Sequence, residues 1–243
     1  VGDEALLIAR RTGVPVVVGR DRVAAARLAI ELGADVIVSD DGLQHLRLAR
    51  DFEVAVIDGA RGLGNGRLLP AGPLREPAGR LASVNAVVIH GTGRNPLPPA
   101  LTDPAAVFTM QLVGAQLEAL QPVGAMRGSR PLSELRGVQV HAVAGIGYPQ
   151  RFFAALRAAG LEPIEHAFPD HHAFAPGELA FGDTRPVVMT EKDAVKCSGF
   201  DLERAWVLPV SAEIGCPAEL LQSINTALEA APTIRRGGAP REA

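Results

Sequence analysis

The sequence predicts an α/β protein with a parallel sheet flanked by helices and with a second, smaller α/β domain. The first observation is a set of short runs of almost continuous Val and Ile, such as VPVVV (14–18) and EVAVID (53–58). Strands that are buried on both faces of a parallel sheet have this composition. The second observation is that helix-length segments separate these runs, which is the pattern of βαβ units.

Apolar periodicity, caps and glycines give the limits of the elements in the first part of the chain. Asp3 can cap the first helix, Thr12 and Gly13 end it, and Gly33 stands at the C-terminal end of the second. The predicted elements are helices at 3–12 and 22–32, strands at 14–18, 35–39, 53–58 and 84–90, and a short extended piece at 107–110.

A second set of alternating elements begins near Gly137. We predict a first domain over 1–125, a smaller domain over 126–232 and a disordered tail over 233–243, where TIRRGGAPREA has little to bury. The predicted elements of the smaller domain are strands at 138–147, 163–168, 185–190 and 205–210, and helices at 149–159, 176–181 and 216–230.

Composition excludes several function classes. The 243 residues are 47% hydrophobic and 21% charged, as in an ordinary globular protein, and the formal net charge of −3 gives no basic field for nucleic acid. Aromatic residues make up only 4%, too few for a surface that stacks single-stranded bases. Cys197 and Cys216 have no zinc-site spacing, so we expect reduced thiols in a cytosolic protein.

VIVSDDG (36–42) ends an apolar run with two adjacent carboxylates and a glycine. The pattern fits a Walker-B motif, in which a strand delivers at its C-terminal end the carboxylate that holds Mg²⁺ beside nucleotide phosphates. A simple turn is the alternative, since Asp and Gly are common where strands end. Gln44 and His45, which follow shortly, favour the functional interpretation. In the functional interpretation Asp40 and Asp41 are the carboxylates that hold Mg²⁺, and at this point both interpretations stay open.

The phosphate loop that normally accompanies a Walker-B motif does not occur in the sequence. GxxxxGK[ST] is absent, and GARGLGNGRLLP is glycine-rich but lacks the Lys-Ser/Thr pair. AVAGIGYPQRFF (142–153) follows a strand and opens a helix, so it resembles a weak phosphate loop, although it lacks the final glycine of GxGxxG. A tight strand-to-helix turn is the alternative there.

FPDHHAF (168–174) gathers titratable side chains in one predicted loop. One of His171 and His172 suits general acid–base chemistry near neutral pH, because histidine titrates in that range. Neighbouring histidines seldom point the same way, so we expect at most one of them to be catalytic. A polar surface loop without function is the alternative.

Two more segments place charged residues at fixed positions. MTEKDAVKC follows a strand, and Thr190 with Asp193 forms the capping signature of a helix start, which does not exclude a function. GPLREP holds Arg75 and Glu76 between prolines, where the planar guanidinium of the arginine suits a phosphate. A salt bridge within the loop is the alternative for GPLREP.

Taken together and in this order, these strings resemble the tetraacyldisaccharide 4'-kinases, the lipid A 4'-kinases of Gram-negative bacteria. The long GNGRLLPAGPLREP string and the ordered set are specific, although each short motif alone is weak. The matching strings are VGDE (1–4), VVVGRDR (16–22), VSDDGLQH (38–45), DGARGLGNGRLLPAGPLREP (58–77), HAVAGIGYPQRFF (141–153), FPDHHAF (168–174) and MTEKDAVKC (189–197).

The resemblance implies a P-loop kinase fold and transfer of the γ-phosphate of ATP to the 4'-hydroxyl of a tetraacylated glucosamine disaccharide 1-phosphate. It implies that Mg²⁺ is the cofactor beside ATP. The residues that it implies are Asp3 and His171 as the catalytic pair, Asp40 and Asp41 for Mg²⁺ and nucleotide, Gln44 and His45 for the nucleotide, and Glu4, Arg75 and Glu76 for the substrate.

The resemblance also implies a monomeric enzyme that lies peripherally on the cytoplasmic face of the inner membrane. No initiator Met is present and VGDEALL opens like the middle of a domain, so we expect an N-terminal segment to be missing. In the family this segment carries the phosphate loop and a membrane-contacting helix, so we expect residues 1–243 alone to have little or no kinase activity.

Two alternatives remain open from the sequence. One is a non-catalytic α/β module that binds a nucleotide or another ligand and descends from such a kinase. The other is a dinucleotide enzyme that uses AVAGIG. The set Asp3, Asp40, Asp41 and His171 favours the kinase, since a module freed from catalysis has no physical need of it.

Overall fold

The chain divides into two compact units, which we call the first and the second unit. The first comprises Val1–Val16 with Val113–Ser211, and the second Val17–Leu112 with Ala212–Ala243. The structure is a computed structural model, and the predicted tail at 233–243 lies outside the residues that it describes. It describes residues 2–91, 106–120, 128–197, 199–200, 202 and 204–231.

The helices and strands of the described residues alternate along the chain. The helices are α1 (Asp3–Thr12), α2 (Arg22–Glu31), α3 (Pro149–Ala158), α4 (Glu191–Lys196) and α5 (Pro217–Ala230), and short 3-10 helices cover Ala78–Ser83, Leu132–Leu135 and Pro176–Leu179. The strands are β1 (Val54–Asp58), β2 (Ala86–His90), β3 (Val107–Val113), β4 (Gln116–Ala119), β5 (Ser129–Pro131), β6 (Gln139–Ala144), β7 (Glu162–Ala167), β8 (Val187–Thr190), β9 (Ala205–Leu208) and β10 (Ser211–Ile214).

This division differs from the predicted boundary between residues 125 and 126. Strand β4 forms antiparallel pairs with β9, which ties the segment after Val113 to the later part of the chain. Helix α1 packs near α4, where Arg11 donates two hydrogen bonds to Glu191 at 2.8 and 2.6 Å. Contacts between distant segments therefore place α1 in the first unit, and the sequence pattern gives no signal for them.

The sheet of the first unit has six strands in the order β5-β4-β9-β8-β6-β7. Its four strands β9, β8, β6 and β7 are parallel, and β4 runs antiparallel to β9 and β5. Strand β6 is buried on both faces: Val140 packs in a cluster with Phe153 of α3, and Val143 in a second cluster with Met189. The prediction of parallel strands with helices against them is confirmed here.

The second unit has a four-stranded sheet in the order β1-β2-β3-β10, in which β1, β2 and β3 are parallel. Val88 of β2 packs with Leu220 of α5, and Val87 packs with Ile57 of β1 on the other face. The predicted strands at 53–58 and 84–90 are thus confirmed.

The strands predicted at 14–18 and 35–39 are wrong. Within the described residues, neither segment forms a strand or pairs with a neighbouring strand. The edge of the sheet in the second unit is formed by β1, which pairs with β2. Val38 is 92% exposed, so these apolar residues are not the buried strand centres that the composition indicated. Apolar composition alone does not make a strand, since a strand also needs a hydrogen-bonding partner.

The N-cap of helix α1 lies one residue earlier than predicted. Gly2 occupies the N-cap position, and Asp3 is the first helical residue, so the prediction that Asp3 caps the helix is wrong. Gly13 ends α1 in the left-handed conformation at φ 67°, as the sequence predicts. Asp3 Oδ1 accepts the backbone N–H of the next residue, Glu4, at 3.2 Å, and the side chain faces the site described next.

Candidate functional site

Three segments meet at one edge of the first unit's sheet. Parallel strands β7, β6 and β8 are neighbours, so the loops that leave their carboxyl ends lie side by side. The glycine turn at 145–147 follows β6, the FPDHHAF loop at 168–174 follows β7, and α4 follows β8. Strand order therefore brings together three motifs that are far apart in sequence.

Asp193 of α4 is fully buried beneath this edge. Its Oδ2 accepts the backbone N–H of Gly145 at 2.9 Å and the Thr190 hydroxyl at 2.7 Å. Its Oδ1 accepts Lys196 Nζ at 2.9 Å. The predicted cap is confirmed, because the Thr190 hydroxyl oxygen accepts the N–H of Asp193. The carboxylate of Asp193 thus joins three segments while Thr190 starts the helix.

Gly145 allows this close approach. A Cβ at this position would lie 3.0 Å from Asp193 Oδ1 and 3.3 Å from the Pro169 carbonyl oxygen. The AVAGIG segment is therefore explained as a tight turn from β6 toward α3, which starts at Pro149. Only a glycine fits without moving the buried carboxylate.

Asp3 and His171 are in contact in the first unit. His171 Nδ1 lies 3.3 Å from Asp3 Oδ1, and the two side chains are 59% and 11% exposed. His171 has a positive φ of 59°, a conformation that histidine adopts more readily than most residues. A pocket of about 300 Å³ opens beside the pair, and it is lined by Asp3, His171, His172, Ala173, Phe174 and Lys196.

Two lysines of α4, one helical turn apart, surround the Asp3 carboxylate. Lys196 Nζ is 3.8 Å from Asp3 Oδ2. Lys192 Nζ is 3.0 Å from Glu4 Oε1 and 3.6 Å from Asp170 Oδ1. Burial alone would raise the pKa of Asp3, but the positive charges of Lys192, His171 and Lys196 lower that pKa below its usual value. Asp3 is consequently ionised at neutral pH.

The lysines and Asp193 are functional candidates that the sequence reasoning missed. The sequence pattern assigned Asp193 a capping role that did not exclude a function, and it assigned no role to Lys192 and Lys196. The signal was present: lysines at i and i+4 lie on one face of a helix, and this helix begins where a predicted parallel strand ends.

Both cysteines are free thiols, as predicted. Cys197 is buried directly after α4, and burial raises its thiol pKa to about 12. A thiol that stays protonated at neutral pH is a poor nucleophile, so Cys197 acts as a core residue.

The second unit holds the other predicted site residues. Asp40 and Asp41 are exposed in a turn, with Asp41 at φ 48°. A Cβ on Gly42 would come within 2.7 Å of the Ser39 hydroxyl, so glycine is needed in this turn. Arg22 holds the turn by donating to the Asp40 carbonyl oxygen at 2.8 Å. The turn explains the residue types, and it leaves both carboxylates facing outward.

Gln44 and Glu76 are brought together, since Gln44 Nε2 donates to Glu76 Oε2 at 2.9 Å. His45 is held through its backbone carbonyl, which accepts Arg50 at 2.9 Å, and its Nδ1 is buried without a hydrogen-bond partner. Arg75 is exposed, and within the described ranges it forms no ion pair, so the alternative of a salt bridge between Arg75 and Glu76 is wrong.

The glycine-rich loop before Arg75 is tightly built. Asn65 Nδ2 donates to the Ala71 carbonyl oxygen at 2.9 Å, and Asn65 Oδ1 accepts the N–H of Arg67 at 3.1 Å. A Cβ on Gly72 would lie only 2.1 Å from Asn65 Oδ1. The GNGRLLPAGPLREP string therefore encodes a compact loop that presents its last residues in a defined place.

The described residues contain neither a preformed metal cluster nor a helix that could span a membrane. These ranges contain no group of three or more His, Cys, Asp or Glu side chains that could hold a metal ion, so the pair Asp40 and Asp41 would need oxygen ligands from a bound molecule. None of the helices in these ranges has the length and apolar character that crossing a bilayer requires.

The fold and the site define an α/β protein with a carboxylate–imidazole pair at the carboxyl edge of a parallel sheet. The family model described as LpxK, tetraacyldisaccharide-1-P 4'-kinase, matches residues 1–229, and the chain belongs to this family. The resemblance seen in the motifs is thereby confirmed.

Individual relatives of the chain carry the same family name. The tetraacyldisaccharide 4'-kinase of Alkalilimnicola ehrlichii is 56% identical over 212 residues, which are 87% of this chain and 60% of the relative. That of Azoarcus sp. (strain BH72) is 54% identical over 89% of this chain and 62% of the relative. The chain thus spans about 60% of the length of these relatives.

A solved structure has the same fold. The crystal structure of the "apo" form of LpxK from Aquifex aeolicus in complex with ATP superposes with a TM-score of 0.69 at 26% identity, over 93% of this chain and 69% of that chain. The predicted α/β class with parallel sheets and flanking helices is confirmed by this likeness.

Proposed function

We propose that the protein carrying this chain transfers the γ-phosphate of ATP to the 4'-hydroxyl of a tetraacylated glucosamine disaccharide 1-phosphate. The observation that carries the proposal is the contact between Asp3 and His171 at 3.3 Å beside an open pocket. Membership of the tetraacyldisaccharide 4'-kinase family and the ATP bound by the Aquifex relative support it.

The pair Asp3–His171 accepts the proton of the sugar hydroxyl in this proposal. The ionised Asp3 contacts the imidazole at Nδ1 and orients the ring for the proton transfer. The hydroxyl oxygen then attacks the γ-phosphorus, the bond to the β-phosphate oxygen breaks, and ADP leaves with the electron pair of that bond. Glu4, next to Asp3 and paired with Lys192, is the proposed substrate contact in this unit.

Asp40 and Asp41 are the proposed ligands of the Mg²⁺ that accompanies ATP. Their fit to a hard cation is good, because both are exposed carboxylates and neither forms an ion pair within the described ranges. Bound Mg²⁺ would neutralise charge on the β- and γ-phosphates. Gln44 and His45 follow in the same segment and are the proposed nucleotide contacts.

Arg75 and Glu76 complete the proposed substrate contacts. Arg75 is exposed at the end of a compact loop, and a free guanidinium binds phosphate oxygens in a bidentate way. Glu76 accepts a hydrogen bond from Gln44 at 2.9 Å, which joins the proposed substrate segment to the proposed nucleotide segment.

The lipid nature of the phosphate acceptor determines the cellular location that we propose for the enzyme. Four acyl chains keep a lipid in the membrane, since each buried methylene contributes about 0.8 kcal/mol. We therefore propose a monomeric enzyme that lies peripherally on the cytoplasmic face of the inner membrane, where ATP is available.

The test is a kinase assay on the gene product that carries this chain, with labelled ATP and the lipid acceptor in mixed micelles. Asp3→Asn and His171→Gln should each lower kcat roughly 10²–10⁴-fold, the usual contribution of general base catalysis. Glu162→Gln, the same acid-to-amide change at an exposed position of the first unit, is the control and should keep wild-type activity. Full activity of Asp3→Asn would refute the proposal.

A further inference from the structure

We infer that Lys196, seated on the buried carboxylate of Asp193, is a positioning residue that holds Asp3 charged and turned toward His171. The inference rests on the proposed function, in which Asp3 and His171 form the catalytic pair. It adds a second carboxylate and a lysine to that pair as its support.

The first step is that Asp193 fixes the ammonium group of Lys196. Asp193 is completely buried and receives donors from three segments: Gly145 after β6, Thr190 at the end of β8, and Lys196 itself. A buried carboxylate without a cation is very unfavourable, so Lys196 Nζ has to stay at its 2.9 Å contact. The Phe174 ring, 5.5 Å from Nζ, gives the cation a second favourable neighbour.

The second step is that the fixed ammonium faces Asp3. Asp3 Oδ2 is buried and has no hydrogen-bond partner, and Lys196 Nζ lies 3.8 Å from it. The ammonium has three donors, and Asp193 takes one of them in the hydrogen bond described above. The other oxygen of Asp3 is the one that contacts His171, so the two oxygens of this carboxylate have separate partners.

Lys192 has a different role. It also lowers the pKa of Asp3 by its charge, and more strongly than Lys196 does. Its ammonium, however, is held at Glu4 and Asp170, and it makes no direct contact with the Asp3 carboxylate. Lys196 is thus the lysine that sets the direction of the Asp3 side chain, whereas Lys192 acts at a distance.

A purely structural role for Lys196 in joining α1 to α4 makes a different prediction, and the chain offers a matched control. Arg11 also joins these helices, through its two hydrogen bonds to Glu191, and it lies two turns away from Asp3. Arg11→Met removes a basic side chain from the same helix pair without touching Asp3. If the link between the helices were what matters, both variants would have the same effect.

The experiment compares Lys196→Met, Lys196→Arg and Arg11→Met in the gene product. Two readouts are the titration of the Asp3 carboxyl by carbon-13 NMR and the separate values of kcat and KM. Lys196→Met should move the Asp3 titration to higher pH and lower kcat by roughly 10- to 100-fold, as expected for a misplaced catalytic group, with little change in the KM for ATP. Lys196→Arg should recover most of both, and Arg11→Met should change neither.

A further variant guards against failure to fold, because Lys196→Met leaves Asp193 buried without its cation. The double variant Asp193→Asn/Lys196→Met removes both charges of the buried pair, and the single Trp206, which lies in β9, reports whether the first unit is folded. A folded Lys196 variant with an unchanged Asp3 titration, or equal effects of Arg11→Met and Lys196→Met, would overturn the inference. The titration needs no turnover, so it remains decisive even if Asp3→Asn shows that the proposed function is wrong.

Discussion

Replacement of Asp193 by Asn is the sharpest test of the buried centre of the first unit. The two side chains have almost the same shape, so the change removes the charge and exchanges one acceptor for a donor. Asp193 Oδ2 accepts from Gly145 and Thr190, and Oδ1 accepts from Lys196. An amide therefore places its NH₂ group either against the Lys196 ammonium or against the N–H of Gly145, and both contacts join two donors.

The magnitude follows from these contacts. A hydrogen bond to a charged group contributes about 1.5–3 kcal/mol, and a buried polar group left unsatisfied costs about 1–3 kcal/mol. Their sum is about 2.5–6 kcal/mol, a range that includes the cost of about 3–5 kcal/mol for breaking a buried ion pair. Because domains of this kind are stable by about 5–15 kcal/mol, the variant should lose a large part of its stability.

The assay is urea unfolding followed by tryptophan fluorescence. The chain has a single Trp, in β9, so the signal reports on the first unit. With a slope of about 2 kcal/mol per M, the midpoint should fall by about 2 M urea. Asp170→Asn is the control: its carboxylate is 44% exposed beside Lys192, and its loss should cost less than about 1 kcal/mol. A midpoint of Asp193→Asn equal to that of the control would refute the reasoning.

Three further predictions concern stability. Burial and the charge of neighbouring His141 lower the pKa of His166, so the unfolded chain binds more protons than the folded one at mildly acidic pH. The first unit should therefore lose stability as the pH falls below about 6.5. Urea midpoints at several pH values measure this loss, and His166→Phe should make the midpoint depend less on pH. Gly72→Ala should cost roughly 1–3 kcal/mol by calorimetry, because its Cβ would stand 2.1 Å from Asn65 Oδ1. Phe153→Ala, at a fully buried position of α3, should cost about 3–5 kcal/mol by tryptophan fluorescence, and a loss below about 1 kcal/mol would contradict the packing described.

Much of the fold could be predicted from the sequence wherever burial alone shapes the residue pattern. Strands β6 and β8 are buried on both faces, and their continuous apolar runs are visible in the sequence. Strands β4 and β5 were not predicted, since they lie on one side of the sheet and Leu117 is the one fully buried residue of β4. Strands of three or four residues with so few buried side chains carry almost no periodic signal.

The segments at 14–18 and 35–39 show the opposite error. Their composition is that of a buried strand, but a strand forms only when a second strand lies beside it. The composition of a segment does not show whether such a strand is present. The geometry of the site could be anticipated only in part for a related reason. The resemblance to a family brought Asp3 and His171 together, whereas no local rule connects Asp3 with Lys196, because their contact depends on how α1 packs against α4.

The interleaving of the two units along the chain has a consequence for synthesis on the ribosome. Helix α1 is synthesised before α4, and Arg11 meets Glu191 only after 180 further residues have been added. Closing so long a loop costs entropy, and the contact between Arg11 and Glu191 can form only after α4 has left the exit tunnel. For the same reason no single cleavage can release the first unit intact. To express this unit alone, residue 16 has to be joined to residue 113 by a new linker, or the chain has to be circularly permuted.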